Sequence, residues 1–170
     1  MDLKKFVRDI PDFPKPGVSF KDITPMLNDP KALKAASDAL LEFIGDQKID
    51  KVVGMESRGF FYGPVLAVAL NAGFVPVRKI GKLPHRKISH TYDLEYGTDT
   101  LEIHEDAILK GERVLVHDDV LATGGTARAT CKLVEALGGV VVQCNFLLEI
   151  TALQGASKLV GYEVKSLMRF

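Results

Sequence analysis

The sequence predicts an α/β fold, a central parallel sheet flanked by helices. Three observations predict it. Short β-branched and apolar runs recur at residues 51–55, 113–117 and 140–148. Segments with helical apolar patterning separate them, the alternation expected of a parallel sheet. The run that begins at Val114 passes two aspartates, enters a Gly-rich turn and opens at once into a helix.

The elements follow in order. Leu3, Phe6, Val7 and Ile10 have helical spacing, so residues 2–10 are expected to form a short amphipathic helix. Pro11, Pro14 and Pro16 then interrupt regular structure, and residues 12–27 are expected to be a long irregular loop, a length that often carries function. Asp29 followed by Pro30 is a helix start, an N-cap acceptor before the residue that tolerates the first helical position. Leu33, Leu40, Leu41 and Ile44 should line one face of that helix. Residues 51–55 are a strand, 56–59 a turn, and about 60–70 an apolar helix. Residues 74–77 are the next strand, although Pro76 withholds one ladder donor. Between 79 and 112 the pattern changes: 88–92 and 100–104 resemble a hairpin insertion rather than a crossover. Residues 113–117 are a strand, about 127–137 a helix ended by Gly138-Gly139, and 140–148 a long buried strand.

Composition narrows the function. The length, 170 residues, fits one domain, and 46% hydrophobic residues suffice for a core. Lys plus Arg number 22 and Asp plus Glu 22, so the net charge is zero. That balance argues against non-specific nucleic-acid binding. Cys131 and Cys144 lack metal-ligand spacing and are expected to be small buried hydrophobes. No stretch is apolar enough to span a bilayer, and residues 1–11 do not read as a secretory signal. The expectation is a soluble cytoplasmic protein with no membrane partner.

The strongest chemical signal is Val-Leu-Val-His-Asp-Asp-Val-Leu-Ala-Thr-Gly-Gly-Thr-Ala, from Val114 to Ala127. Ligands of open parallel sheets bind beyond the carboxyl ends of strands. Gly124 and Gly125 let the backbone curl with its N–H groups inward, Thr123 and Thr126 add hydroxyls, and the helix that follows presents unpaired N–H groups. Together they form a cradle for a phosphate monoester, beside Asp118 and Asp119, which suit a ribose diol. A P-loop is excluded, because Gly54 and Gly59 have its spacing but Phe60 stands in place of the lysine; no Gly-x-Gly-x-x-Gly occurs either.

This segment resembles the phosphoribosyl-diphosphate (PRPP) binding motif of type I phosphoribosyltransferases. Leu121 to Thr126 resembles the adenine branch. Residues 13–25 (with Pro-Gly-Val and Phe-Lys-Asp-Ile-Thr-Pro), 56–60 (Glu-Ser-Arg-Gly-Phe), 78–84 (Arg-Lys-Ile-Gly-Lys-Leu-Pro) and 92–97 (Tyr-Asp-Leu-Glu-Tyr-Gly) agree in the same order along the chain. The resemblance implies the type I phosphoribosyltransferase fold: one domain over 1–170, a small hood at about 1–28 and a core at about 29–170 with a mobile loop at about 79–97. It implies transfer of phosphoribose from PRPP to adenine, giving AMP and diphosphate, with Mg²⁺ arriving on PRPP rather than on a direct protein site, and a homodimer.

Residue roles follow from the resemblance. Asp118, Asp119, Ala122, Thr123, Gly124, Gly125 and Thr126 would hold the ribose phosphate. Glu56, Ser57, Arg58, Arg78, Lys79 and Lys82 would hold the diphosphate, with a cis peptide between Glu56 and Ser57 and with Arg78 reaching toward a neighbouring subunit. Glu95 would accept the proton released by the base, and Arg58 would join it in catalysis. Adenine would stack between Phe20 and Val120 and be read by backbone groups of Ser19 and Lys21. His117 stands where relatives carry an aliphatic residue, and a packing role is expected. The competing readings are a relative acting on hypoxanthine or guanine and a non-catalytic PRPP or purine sensor on the same fold; a sugar-phosphate kinase lacks its nucleotide motif.

Overall fold

The computed structural model describes all 170 residues. A 3-10 turn at Leu3–Phe6 is followed by β1 (Arg8–Ile10), β2 (Phe20–Asp22), α1 (Thr24–Asn28), α2 (Pro30–Glu42) and β3 (Lys51–Met55). Then come α3 (Gly59–Ala69), β4 (Gly73–Lys79), β5 (Lys87–Asp93), β6 (Thr98–His104) and β7 (Arg113–Leu121). The chain closes with α4 (Gly125–Ala136), β8 (Val140–Glu149), two 3-10 turns and β9 (Val164–Arg169).

Seven strands form one sheet in the order β5-β6-β4-β3-β7-β8-β9. β3, β4, β7, β8 and β9 run parallel, and the β5–β6 hairpin joins β4 antiparallel. Successive strand residues face opposite sides. Val52 and Leu115 pack with Ala36, Leu40, Tyr62 and Leu66 under α2 and α3. Their neighbours Val53 and Val116 pack with Ala127, Cys131, Val134 and Phe146 under α4. Covered on both faces, these strands are apolar throughout, which is why their sequences read as continuous runs. The crossover through α3 leads one way from the sheet centre and the crossover through α4 the other. The order therefore reverses between β3 and β7, and the crevice beyond their carboxyl ends is the natural ligand position.

Local chemistry accounts for the main boundaries. Asp29 Oδ1 accepts from the N–H groups of Lys31 and Ala32 at 2.9 and 2.8 Å, and Pro30 starts α2. Pro76 pairs with Gly54 of β3, while β6 meets β4 only at Arg78 and Lys79. The proline therefore sits where β4 has a single neighbour, and its missing donor costs the sheet nothing.

The structure corrects several expectations. Residues 2–10 do not form a helix: a 3-10 turn gives way to β1, which pairs antiparallel with β2. Residues 12–27 are not irregular throughout, since they contain β2 and the start of α1. The buried side of α2 is Ala32, Ala36, Ser37 and Leu40; Leu33 and Leu41 only flank it. β7 continues past His117 to Leu121, so Asp118 and Asp119 lie inside the strand rather than after it. The hairpin, the strands at 51–55 and 140–149 and the helix after the Gly-rich turn appear where expected. Cys131 and Cys144 are buried, unlinked and 3.5 Å apart. No helix is long and apolar enough to cross a membrane.

Candidate active site

Strand geometry separates the two aspartates. Asp118 points toward the Gly-rich turn, and its Oδ1 accepts from the N–H of Asp119 at 2.9 Å. Asp119 turns the other way, to within 3.1 Å of Arg58 Nε. That pair is misaligned for a hydrogen bond, so the buried Asp119 Oδ2 remains an acceptor without a donor. The start of α3 presses directly on this place: a Cβ at Gly59 would stand 3.0 Å from both Asp118 Oδ1 and the His117 carbonyl oxygen.

The turn after β7 forms the cradle. Gly124 has φ +80°, and a Cβ there would lie 2.3 Å from the carbonyl oxygen of Gly155. Gly155 returns the constraint, since its own Cβ would lie 2.2 Å from the Ala122 carbonyl oxygen. Only glycine at both positions lets the two backbones touch. The cavity beside this turn, about 70 Å³, is lined by Asp118, Ala122, Thr123, Gly124 and Thr126, among others. The first N–H groups of α4 open onto it without a side-chain cap, leaving donors for an anion.

A larger apolar cavity, about 470 Å³, lies alongside and shares Val120 and Ala122 with the cradle. Its walls include Ser19, Phe20, Lys21, Arg58, Ile150, Leu153 and Phe170. Arg58 stacks its guanidinium 4.8 Å over the Phe20 ring. Lys21 is fixed by Asp9 at 2.9 Å and lies 5.1 Å over the Phe170 ring. Ser19 Oγ donates to the same Asp9 carboxylate. The backbone of residues 19–21 is thus held by β1 on one side and by Phe170 on the other.

A third cluster gathers at the end of β3. Glu56 binds Lys82, Arg78 Nε at 3.3 Å and the Lys79 backbone N–H at 2.9 Å. Burial opposes ionisation of Glu56, yet Lys82, the Lys79 amide and Arg78 outweigh it and hold the carboxyl below its ordinary range. The Glu56–Ser57 peptide is cis.

Electrostatics distinguish the two aspartates. Burial first, and the neighbouring Asp119 charge second, push Asp118 well above the ordinary carboxylate range. Burial raises Asp119 too, against the pull of Arg58. Beneath them His117 is fully buried, with Nδ1 2.8 Å from Asn145 Oδ1. Burial lowers its pKa to about 4, so the ring is neutral. Nε2 has no partner, so the packing role expected of His117 leaves half the ring unsatisfied.

Ser19, Phe20, Lys21 and Val120 come together in one cavity, and Asp118 joins the cradle residues in the other. Glu56, Arg78, Lys79 and Lys82 meet through the Glu56 carboxylate. Arg58 stands apart from that cluster, at the wall of the apolar cavity. Arg78 turns to Glu56 of its own chain. Glu95 is not brought in: it is exposed in the turn between β5 and β6 and lines neither cavity. Sequence reasoning missed Gly17, Val18, Ile150, Ala152, Leu153, Gly155 and Phe170. Ile150 was findable, because it follows β8, whose carboxyl end lies beside that of β7. Nothing in the sequence marks Phe170.

Carboxylates inside a strand end, a backbone cradle for an anion and an adjoining apolar cavity define a protein built to hold a phosphorylated sugar next to a flat ring. A family model described as a phosphoribosyl transferase domain matches residues 24–166. The chain is 64% identical over 170 residues to an adenine phosphoribosyltransferase of Christiangramia forsetii, covering 100% of this chain and 99% of the relative. A crystal structure of adenine phosphoribosyltransferase from Rhodothermus marinus superposes with a TM-score of 0.96 at 57% identity, covering 99% and 96% of the two chains. The Saccharomyces cerevisiae enzyme, solved with an imino-altritol bisphosphate and adenine, gives 0.92 at 44% identity over 98% and 96%. The chain belongs to the phosphoribosyltransferase family, in its adenine phosphoribosyltransferase branch.

Proposed function

We infer that the chain transfers the 5-phosphoribosyl group of PRPP to adenine, giving AMP and diphosphate, in purine salvage. One observation carries this reading: the anion cradle and the apolar cavity share Val120 and Ala122, with Asp118 on the cradle side. A nucleoside monophosphate has that layout, with phosphate at one end, base at the other and a diol between.

The 5′-phosphate would sit on Thr123, Gly124, Gly125 and Thr126. Asp118 and the unpartnered Oδ2 of Asp119 would accept from the ribose hydroxyls. Departure of diphosphate builds positive charge on the ribose ring, as in glycosyl transfer generally, and carboxylates nearby favour it. The diphosphate would displace Glu56 from Lys82 and Arg78, whose cations would pass to the leaving group, with Ser57 and Lys79 alongside. Mg²⁺ fits as a passenger on PRPP: no group of three Asp, Glu, His or Cys side chains is arranged to hold it, and it favours phosphate oxygens and water over protein cages. When bound it supplies charge neutralisation of the diphosphate.

The base would lie against Phe20 and Val120 beneath Arg58. A peptide N–H cannot become an acceptor, so backbone reading at Ser19 and Lys21 gives adenine preference over hypoxanthine. Each mispaired buried group costs about 1–3 kcal/mol, and sites of this kind discriminate by roughly 10⁴-fold. Glu95 would reach the base only after the β5–β6 hairpin moves inward, so we assign residues 79–97 the part of a lid over a hood of about residues 1–28 and a core of about 29–170. A cytoplasmic setting fits a reaction between two soluble metabolites.

The test mixes the protein with PRPP, Mg²⁺ and each purine base and identifies the nucleotide formed. AMP is the expected product. Comparable kcat/KM with hypoxanthine would overturn the assignment.

A further inference from the structure

The β5–β6 hairpin packs against α4 and reaches the phosphate cradle through a tyrosine. Tyr92, near the end of β5, lays its ring on the backbone of α4, where a Cβ at Gly125 would meet the ring at 3.4 Å. Its hydroxyl lies 3.1 Å from Thr126 Oγ1 and 3.2 Å from Asp99 Oδ2. Asp99 is its direct cross-strand partner on β6. The same Asp99 oxygen accepts from Lys79 Nζ, and its other oxygen accepts from the N–H of Thr100 at 2.8 Å.

The direction of this relay follows from the chemistry of its ends. Burial opposes ionisation of Asp99, but Lys79 and the Thr100 amide outweigh it and keep the carboxylate charged. A carboxylate only accepts. Burial also keeps the Tyr92 phenol protonated. The one phenolic proton must therefore point to Asp99. The Tyr92 oxygen is then left as an acceptor, and Thr126 donates to it. Thr126 Oγ1 thus shows lone pairs, not its proton, to the cavity it lines.

We propose that Tyr92 is a positioning residue that holds the Thr126 hydroxyl in the wrong polarity for phosphate and pins the hairpin to the cradle until a phosphate monoester arrives. A phosphate dianion needs donors. On its arrival Thr126 turns its proton to the phosphate and gives up Tyr92, while Tyr92 keeps Asp99. The hairpin then loses its hydrogen bond to α4 and keeps only packing contacts there, which eases movement of the turn that carries Glu95 toward the base. The proposal rests on the phosphoribosyl-transfer reading and adds an order of events to it: sugar phosphate first, hairpin movement second.

Tyr92→Phe keeps the ring on Gly125 and removes the hydroxyl. Thr126 then donates to phosphate without breaking a bond, so AMP should bind about 5-fold more tightly, the size of one ordinary hydrogen bond. Adenosine, which lacks the phosphate, should bind equally to both proteins. In a Thr126→Val background the Tyr92→Phe change should leave AMP affinity unmoved, because the relay has already lost its inner end. Amides of β5 should exchange faster in free Tyr92→Phe than in free wild type, and AMP should abolish that difference. Calorimetric titration and hydrogen exchange read these outcomes. Equal or weaker AMP binding by Tyr92→Phe, or the same gain with adenosine, overturns the relay alone. Failure of the wild-type protein to bind AMP overturns the functional reading and the relay with it.

Discussion

At the scale of single residues, the site trades stability for charge. Asp118 and Asp119 are buried together, and both have pKa values raised in the folded protein. A carboxyl whose folded pKa exceeds its unfolded value favours folding while protonated and opposes it as pH rises through the folded value. Replacing both by asparagine removes that opposition at neutral pH. The double variant Asp118→Asn with Asp119→Asn is expected to melt no lower than wild type at pH 7.5. Its turnover should fall by about 10- to 100-fold, because a charge-assisted hydrogen bond to ribose, about 1.5–3 kcal/mol, becomes a weaker neutral one. Steady-state assays beside thermal melts check both halves; turnover within a few-fold of wild type would remove the ribose role. His117 behaves in the opposite sense. Its folded pKa, about 4, lies below the ordinary 6.5. The unfolded chain binds the extra proton between those values, so stability is full above pH 6.5 and declines as pH falls toward 4. The loss attached to this ring is about 3 kcal/mol. In His117→Gln that share of the acid sensitivity should vanish, which urea denaturation at pH 7 and pH 4.5 will measure as a smaller drop than in wild type.

At the scale of elements, the cradle depends on a backbone contact between the turn after β7 and the turn after β8. A Cβ at Gly155 would stand 2.2 Å from the Ala122 carbonyl oxygen, and backbone cannot step aside as a side chain can. Gly155→Ala is expected to cost about 1–3 kcal/mol of stability, the range for forced overpacking, and to raise the KM for PRPP more than the KM for adenine. Equal effects on the two substrates would show that the contact supports the fold and not the cradle. Which elements were legible in the sequence has a physical explanation. β3, β7 and β8 are buried on both faces and announce themselves as apolar runs. Asp29-Pro30 announces α2 by cap chemistry. The first residues misled: Leu3, Phe6 and Val7 do pack against the core, as their spacing implies. Pairing of β1 with β2, however, decides the backbone beyond them. Strands of three residues are too short to display a period. β9 carries Val, Lys, Ser, Leu, Met and Arg, and most are half-buried, so no alternation emerges. The cradle was readable because phosphate binding uses contiguous backbone. The far wall of the base cavity was not, since Leu153 and Phe170 reach it only through tertiary folding.

At the scale of the whole molecule, α3 is apolar on every side, a composition that suits burial rather than a water-facing helix. One side packs under the sheet through Tyr62 and Leu66. The other leaves Phe61, Val65 and Val68 exposed, at positions that share a helix face, and Val68 is 82% exposed. A homodimer, which the family resemblance implies, would have this apolar face available for its interface. Val68→Glu is expected to shift the protein toward monomer in analytical ultracentrifugation with the core left folded; an unchanged sedimentation coefficient would place the interface elsewhere.

The meeting of Gly124 with Gly155, and of Lys21 with Phe170, also governs when the site comes into being during synthesis. A ribosome releases the phosphate motif, residues 121–126, well before the residues that buttress it. A nascent chain that has emerged as far as α4 carries every signature by which the site is recognised in sequence. It still lacks the backbone that props the cradle and the aromatic wall that closes the base cavity. Substrate binding is therefore expected to follow the folding of the segments beyond α4. Folding of the segments that follow α4, rather than appearance of the motif, marks the birth of the site.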